Sequence, residues 1–167
     1  CPPAALVVAA SSVTAVMTGS FADAAELKQL TEKSTAVVIG SGMIGLLVIQ
    51  ALRWAGAKNV VAVDVADNRL ALARQLGATH TINSGRDDAA AGVARITDEL
   101  GAEVSFEVVG YTATQTLALS VLKRGGACVL VGNLSPKTQD FPLQAVVTKE
   151  LTILGSCASA GEYPLCL

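Results

Sequence analysis

Histidine is almost missing from the 167 residues, His80 being the only one, and no two of the four cysteines, Cys1, Cys128, Cys157 and Cys166, form a Cys-x-x-Cys pair. A Ser-His-Asp triad or a two-histidine metal site would have to be built on His80, and no Cys/His spacing reads as a zinc ribbon or finger. Most hydrolase and metalloprotease chemistry is thereby excluded, and cysteine usage fits a reduced, cytoplasmic compartment. His80 itself enters an apolar run, Thr79-His80-Thr81-Ile82, and reads as a structural or surface residue. A basic excess is also lacking. Twelve basic and 14 acidic residues are scattered along the chain, which leaves no electrostatic footprint for nucleic acid or an anionic membrane.

Strongly apolar runs of membrane length are missing too. Residues 1–22 carry no charge, yet Pro2, Pro3, Ser11, Ser12, Thr14, Thr18, Gly19 and Ser20 interrupt them and no basic flank of signal-peptide type precedes them. Residues 34–52 are broken by Gly40, Ser41, Gly42 and Gly45, which suits a strand turning into a helix rather than a span of ~20 residues. What remains is a composition that is 51% apolar and 16% charged, the mark of one compact globular domain with a substantial core. The chain begins without Met and stops at Tyr163-Pro164-Leu165-Cys166-Leu167, where a new helix is expected to start. We therefore expect residues 1–167 to be one domain of a longer protein.

A repeated unit organises the interior. An amphipathic helix ends at Gly-Ala and a β-rich apolar run follows, four times: Gly56-Ala57 before Val60 to Asp64, Gly77-Ala78 before His80 to Ile82, Gly101-Ala102 before Val104 to Val109, and Gly126-Ala127 before Cys128 to Val131. Glycine after the last helical turn takes the left-handed conformation that reverses the chain, and short continuous apolar runs are strands covered on both faces. Helical spacing predicts helices over Asp67 to Leu76 (Leu70, Ala73, Leu76) and Asp87 to Leu100 (Val93, Ile96, Leu100). A third, marked by Leu117 and Val121, is expected to end at Lys123-Arg124-Gly125, where the basic residues suit the helix dipole. Ser12 to Leu30 reads as a helix before the first strand, Asn133 to Thr148 as a loop, and Leu151 to Leu154 as a last strand. Alternation of this kind predicts an α/β fold, a doubly wound parallel sheet of about six strands with helices on both faces, the Rossmann architecture.

Thr35 to Gly45, TAVVIGSGMIG, is a strand running into G-x-G-x-x-G and then a helix, and Asp64 ends the next strand 19 positions after Gly45. In that context Gly40 permits the tight turn, Gly42 admits a pyrophosphate without a Cβ in the way, and Gly45 lets the helix pack close. The N–H groups of Met43 and Ile44 point at phosphate oxygens from the positive end of the helix. Asp64 offers acceptors to the ribose hydroxyls of an adenosine half and repels a 2′-phosphate, favouring NAD over NADP. Arg69 stands near the same side. Gly110 and Gly132 end strands where crevice ligands bind. The glycines also suit a plain turn with Asp64 capping the next helix, and an FAD or S-adenosylmethionine site uses similar logic. A methyltransferase usually has an acid at the end of the first strand, where Ile39 stands.

The run Val38 to Leu47, with Asp64, Arg69-Leu70, Gly77-Ala78, Glu107-Val108-Val109-Gly110, Gly125-Gly126 and Leu130-Val131-Gly132, resembles the coenzyme domain of zinc-type medium-chain dehydrogenases, the superfamily of alcohol, sorbitol and threonine dehydrogenases. The ending Leu151 to Ser156 with Glu162-Tyr163-Pro164 is most similar to the polyol branch. The resemblance covers about residues 3–167. It implies pyrophosphate at Gly42, Met43 and Ile44, the adenosine ribose at Asp64 with Arg69 nearby, the adenine side at Val109 and Gly110, and nicotinamide along Val131 and Gly132 near Ser156. It further implies hydride transfer between a secondary alcohol or polyol and NAD in the parent protein, and a homo-oligomer formed through the edge strand Leu151 to Leu154. In the family, zinc ligands and proton relay come mostly from a separate N-terminal domain, which these residues lack. The one ligand position expected here falls at about Ser11 or Ser12, neither a usual zinc ligand, and Cys1 is too far upstream. We therefore assign no catalytic residue and no metal ligand to this chain, leave zinc to the full-length protein, and expect the domain alone to bind but not turn over. A regulatory nucleotide-sensing module without redox chemistry is the alternative.

Overall fold

The computed structural model describes residues 34–132 and 140–156. Among them are six strands, β1 (Thr35–Ile39), β2 (Asn59–Asp64), β3 (His80–Asn83), β4 (Ala102–Glu107), β5 (Leu122–Leu130) and β6 (Thr152–Gly155). Five helices alternate with them: α1 (Met43–Trp54), α2 (Asp67–Gln75), α3 (Ala89–Ile96), α4 (Thr112–Ser120) and α5 (Leu143–Thr148). The strands form one sheet in the order β3-β2-β1-β4-β5-β6, and every neighbouring pair is parallel. No helix among these residues is long and apolar enough to cross a membrane.

Period-two alternation along the strands sorts the core into two layers. Ala36 and Val38 of β1, Val60 and Ala62 of β2 and Phe106 of β4 face α1 and α2, where Val48, Ile49, Leu70 and Ala73 meet them. Val37, Ile39, Val61, Val63 and Cys128 face the other way, onto Val93 of α3 and Ala118 and Leu119 of α4. Both faces are covered, which is why the strands read as continuous apolar runs. The chain winds outward from β1 in both directions, so the loops after β1 and β4 diverge at the carboxyl edge of the sheet and leave a crevice there.

Several sequence expectations change at element ends. The helix expected to reach Lys123-Arg124-Gly125 stops at Ser120, and Leu122 already begins β5. Lys123 and Arg124 therefore do not complement a helix terminus; they pair with Glu103 and Glu150. The terminus is served by Lys149, whose Nζ donates to the carbonyls of Leu119 (3.3 Å), Ser120 (2.8 Å) and Leu122 (2.9 Å). The helix expected over Asp87 to Leu100 spans only Ala89–Ile96, from an N-cap at Asp88 whose side chain accepts from Ala91 N. Asp98 and Glu99 turn left-handed (φ 50° and 64°), which throws Leu100 off the buried face into solvent. The stretch expected to be loop before β6 contains α5. Gly56, Gly77 and Gly101 adopt the left-handed conformation (φ 90°, 119° and 83°), but in the fourth unit Gly125 takes it (φ 73°) in place of Gly126, inside β5. The expected helix at Ser12 to Leu30, the zinc-ligand position at Ser11 or Ser12, Cys1 and Glu162-Tyr163-Pro164 lie outside the described residues.

Candidate functional site

The crevice is built first on the loop between β1 and α1. Gly40 has φ +97°, a conformation that L side chains rarely adopt, and its N–H donates to Val63 O at 2.8 Å, which ties the turn to β2. A Cβ on Gly45 would overlap the Gly40 carbonyl oxygen, so only glycine lets α1 sit this close to the turn. At Gly42 a Cβ would meet nothing within 4 Å among the described residues. The protein leaves that space open beside the helix start, as backbone approach by a ligand requires. Gly42 is also the N-cap of α1 and has no side chain to satisfy the first turn. The N–H groups of Met43 and Ile44 thus belong to the set that an α-helix cannot pair internally, at its positive end. Met43 is 76% exposed at this opening.

Asp64, the last residue of β2, is buried and holds this loop. Its Oδ2 accepts the Ser41 N–H at 2.7 Å, its Oδ1 accepts the Ala66 N–H at 3.0 Å, and Arg69 Nη1 stands 3.8 Å from Oδ2. Asp64 does not cap α2: the N-cap is Ala66, which has no side-chain cap, and the Ala66 contact is a turn two residues long that uses one oxygen only. Each carboxylate oxygen has a second acceptor position. Asp67 at the start of α2 has its carboxyl held below the usual range, first by the Asn83 side-chain hydrogen bond at 2.8 Å and then by Arg86. Arg86 is thereby occupied, at 2.8 and 3.0 Å from Asp67.

Across the crevice stand the turns after β4 and β5. Gly110 is left-handed (φ +98°) and the preceding Val109 is 37% exposed. A Cβ on Gly132 would overlap Gly110 N, so the two turns touch backbone to backbone, and a Cβ on Gly40 would lie 2.6 Å from Val109 Cγ2. Ser156, after β6, donates its N–H to Leu130 O at 2.9 Å, which sets it beside Val131. The sheet thus brings Gly40 to Gly45, Asp64, Val109, Gly110, Val131, Gly132 and Ser156 to one edge, with Arg69 on the outer side of Asp64. His80 is on edge strand β3, its Nδ1 2.9 Å from Thr79 Oγ1, apart from this group.

Two polar residues of the site went unassigned in the sequence reading. Ser41 is 1% exposed and its Oγ has no partner among the described residues. Glu107 is wholly buried at the end of β4, and its signal in the sequence was its place in the run Glu107-Val108-Val109-Gly110 closing a strand. No three His, Cys, Asp or Glu side chains gather as a metal site among the described residues. A cavity of about 380 Å³ lies at the opposite, amino edge of the sheet, between α3 and the start of β5. Its cations are spoken for: Lys123 by Glu103, Arg124 by Glu150, Lys149 by three carbonyls.

Comparison with known proteins agrees with this architecture. L-idonate 5-dehydrogenase of Vitis vinifera is 37% identical over 139 residues, covering 81% of this chain and 38% of the relative. D-xylulose reductase of Saccharomyces cerevisiae is 38% identical over 136 residues, covering 78% and 37%. The crystal structure of 2R,3R-butanediol dehydrogenase from Bacillus subtilis superposes with a TM-score of 0.81 at 29% identity, over 97% of this chain and 43% of that one. The chain spans about two-fifths of the length of these relatives. The family model described as zinc-binding dehydrogenase matches residues 44–167, most of the chain, and the chain belongs to that family.

Proposed function

We propose that residues 1–167 are the NAD-binding domain of a longer oxidoreductase that moves hydride between a secondary alcohol or polyol and the coenzyme. One observation carries the reading: the Ser41 N–H to Asp64 bond of 2.7 Å, which locks the glycine turn to the acid at the end of the neighbouring strand. In this reading the open space at Gly42 and the first-turn amides of Met43 and Ile44 receive the diphosphate. Asp64, with its remaining acceptor positions, takes the ribose hydroxyls, and its negative charge disfavours a 2′-phosphate; Arg69 lies alongside. The exposed face of Val109 and the Gly110 turn flank adenine, and Val131, Gly132 and Ser156 line the nicotinamide end. When bound, NAD supplies the hydride acceptor, and the chain supplies position and electrostatics. The described residues present no donor set for zinc, and in this reading the domain alone should bind without turnover.

The relatives named above support an alcohol or polyol as the substrate class of the parent protein. Among the described residues β6 ends the sheet with one unpaired edge, and Leu143 and Val147 of α5 are exposed at 66% and 75%. We assign the homo-oligomer contact to that edge, since an open strand is a template for pairing with a second copy. Titration of this chain with NADH, NADPH and S-adenosylmethionine tests the reading: NADH should bind tightest, and tighter binding of S-adenosylmethionine, or none of NADH, would refute it.

A further inference from the structure

Glu107 is the residue of the crevice whose environment the dinucleotide reading leaves unexplained. It is 0% exposed at the end of β4, directly after the buried Phe106, and its Oε2 has no hydrogen-bond partner among the described residues. A buried, unpartnered carboxylate oxygen is costly, and an apolar side chain would fit such a position more cheaply. The other oxygen shows what the residue does. Oε1 accepts the N–H groups of Val109 at 3.0 Å and Gly110 at 2.8 Å, and the Thr114 hydroxyl is 2.7 Å away. The main-chain carbonyl of the same residue accepts Val131 N at 2.8 Å and Gly132 N at 2.9 Å.

Glu107 is therefore bonded to both strand-end turns, the one after β4 through its side chain and the one after β5 through its backbone. Those turns meet where Gly132 faces Gly110 N without room for a Cβ, and the first of them presses Val109 toward Gly40. A shift in one turn is passed to the other by direct contact. Thr114, whose Oγ1 also accepts Tyr111 N at 3.2 Å, fastens the start of α4 to the same oxygen.

We propose that Glu107 is the positioning residue of the crevice, setting the separation and orientation of the Val109–Gly110 and Val131–Gly132 turns through their amides without itself touching the dinucleotide. The inference rests on the NAD reading for its ligand, but its structural part, the pinning of two amides, stands apart from it. Four variants of this chain test it by NADH titration together with thermal unfolding. Glu107→Gln retains an acceptor in place and should bind NADH within about threefold of wild type. Glu107→Leu removes the acceptor from the Val109 and Gly110 amides and the Thr114 hydroxyl and should weaken binding at least about tenfold.

Ser105→Ala is the control for a merely structural role. It removes a buried bond from the same strand, Ser105 Oγ to Ala118 O at 2.8 Å, that does not reach the crevice. It should lower the unfolding midpoint and leave NADH affinity unchanged. Should Glu107→Leu fail to fold, Glu107→Asp, which keeps the charge but withdraws it by one methylene, should still weaken NADH severalfold. Unchanged affinity in the folded Leu or Asp variant, or an equal loss in Ser105→Ala, overturns the proposal. Failure of the wild type to bind NADH refutes the NAD reading instead. In that event hydrogen exchange at Val109 and Gly110 decides the pinning: at least tenfold faster exchange in the Leu or Asp variant than in Glu107→Gln upholds it, and equal rates overturn it.

Discussion

Asp64 serves two purposes in the proposed site, and replacing it separates them. Its Oδ2 holds the Ser41 N–H at 2.7 Å and its Oδ1 the Ala66 N–H at 3.0 Å, with the carboxylate almost fully buried. Asp64→Asn keeps the shape and one acceptor for Ser41 but turns an amide NH₂ toward Ala66 N. Losing one charge-assisted bond costs about 1.5–3 kcal/mol, so NADH affinity should fall by roughly 10- to 100-fold. NADPH should behave in the opposite sense. A carboxylate about 4 Å from a unit of phosphate charge repels it by roughly 4 kcal/mol at an effective dielectric of 20, less after salt screening. Removing that repulsion offsets the loss of the Ala66 bond, and NADPH affinity should hold or rise. The preference for NADH over NADPH should narrow by about two orders of magnitude, and Asp64→Ser, which also empties the latch, should narrow it with weaker binding of both. Nucleotide fluorescence titrations at low and at physiological salt measure the ratio. A ratio that stays constant while both affinities drop would show that Asp64 only holds the loop and would remove it from ribose recognition.

Lys149→Met should lower stability by about 1–2 kcal/mol in urea unfolding, because the carbonyls of Leu119, Ser120 and Leu122 lose their charged donor. Lys123→Met, which breaks only a partly exposed ion pair with Glu103, should cost under about 1 kcal/mol; the reverse ranking would refute the capping role. Burial pushes the Cys128 thiol up from 9.0 to about 11, with Glu107 adding to the rise and the Ser105 hydrogen bond opposing it. The unfolded chain therefore releases that proton first, and stability should fall between pH 9 and pH 11 by up to roughly 3 kcal/mol. The difference in unfolding free energy between wild type and Cys128→Ala, compared at pH 8 and pH 10.5, isolates this contribution, and a difference constant with pH would contradict it. Ile153→Lys on the half-buried edge strand should shift the chain toward monomer in sedimentation velocity if copies pair there; an unchanged distribution of a self-associating wild type would move the contact elsewhere.

Although α5 was read as loop, the alternation of strands and helices as far as β5, the parallel sheet with two covered faces, and the meeting of Gly40 to Gly45 with Asp64 were legible in the residues. Such features follow from local rules. An apolar run too short for a helix, bounded by glycine and repeated between helical periods, has few packings other than βαβ units. Where prediction slipped, the deciding partner lay far along the chain. The helix expected to run through Lys123 ends three residues earlier because β5 begins at Leu122 to pair with Ala102, and Lys149, 30 residues from Leu119, supplies its cap. Leu100 has the right spacing for the buried face of α3 but follows two left-handed residues that no periodicity reveals.

The sequence by itself determined the architecture and the residue types at the crevice, since glycine, helix start and acid must each stand where backbone geometry demands them. Only the tertiary structure decided which oxygen meets which amide: that Asp64 latches Ser41, that Glu107 serves four amides on two turns, and that Lys149 closes α4. Hydrogen bonds are specified by positions within a few tenths of an ångström, and those positions exist only once the strands are in register.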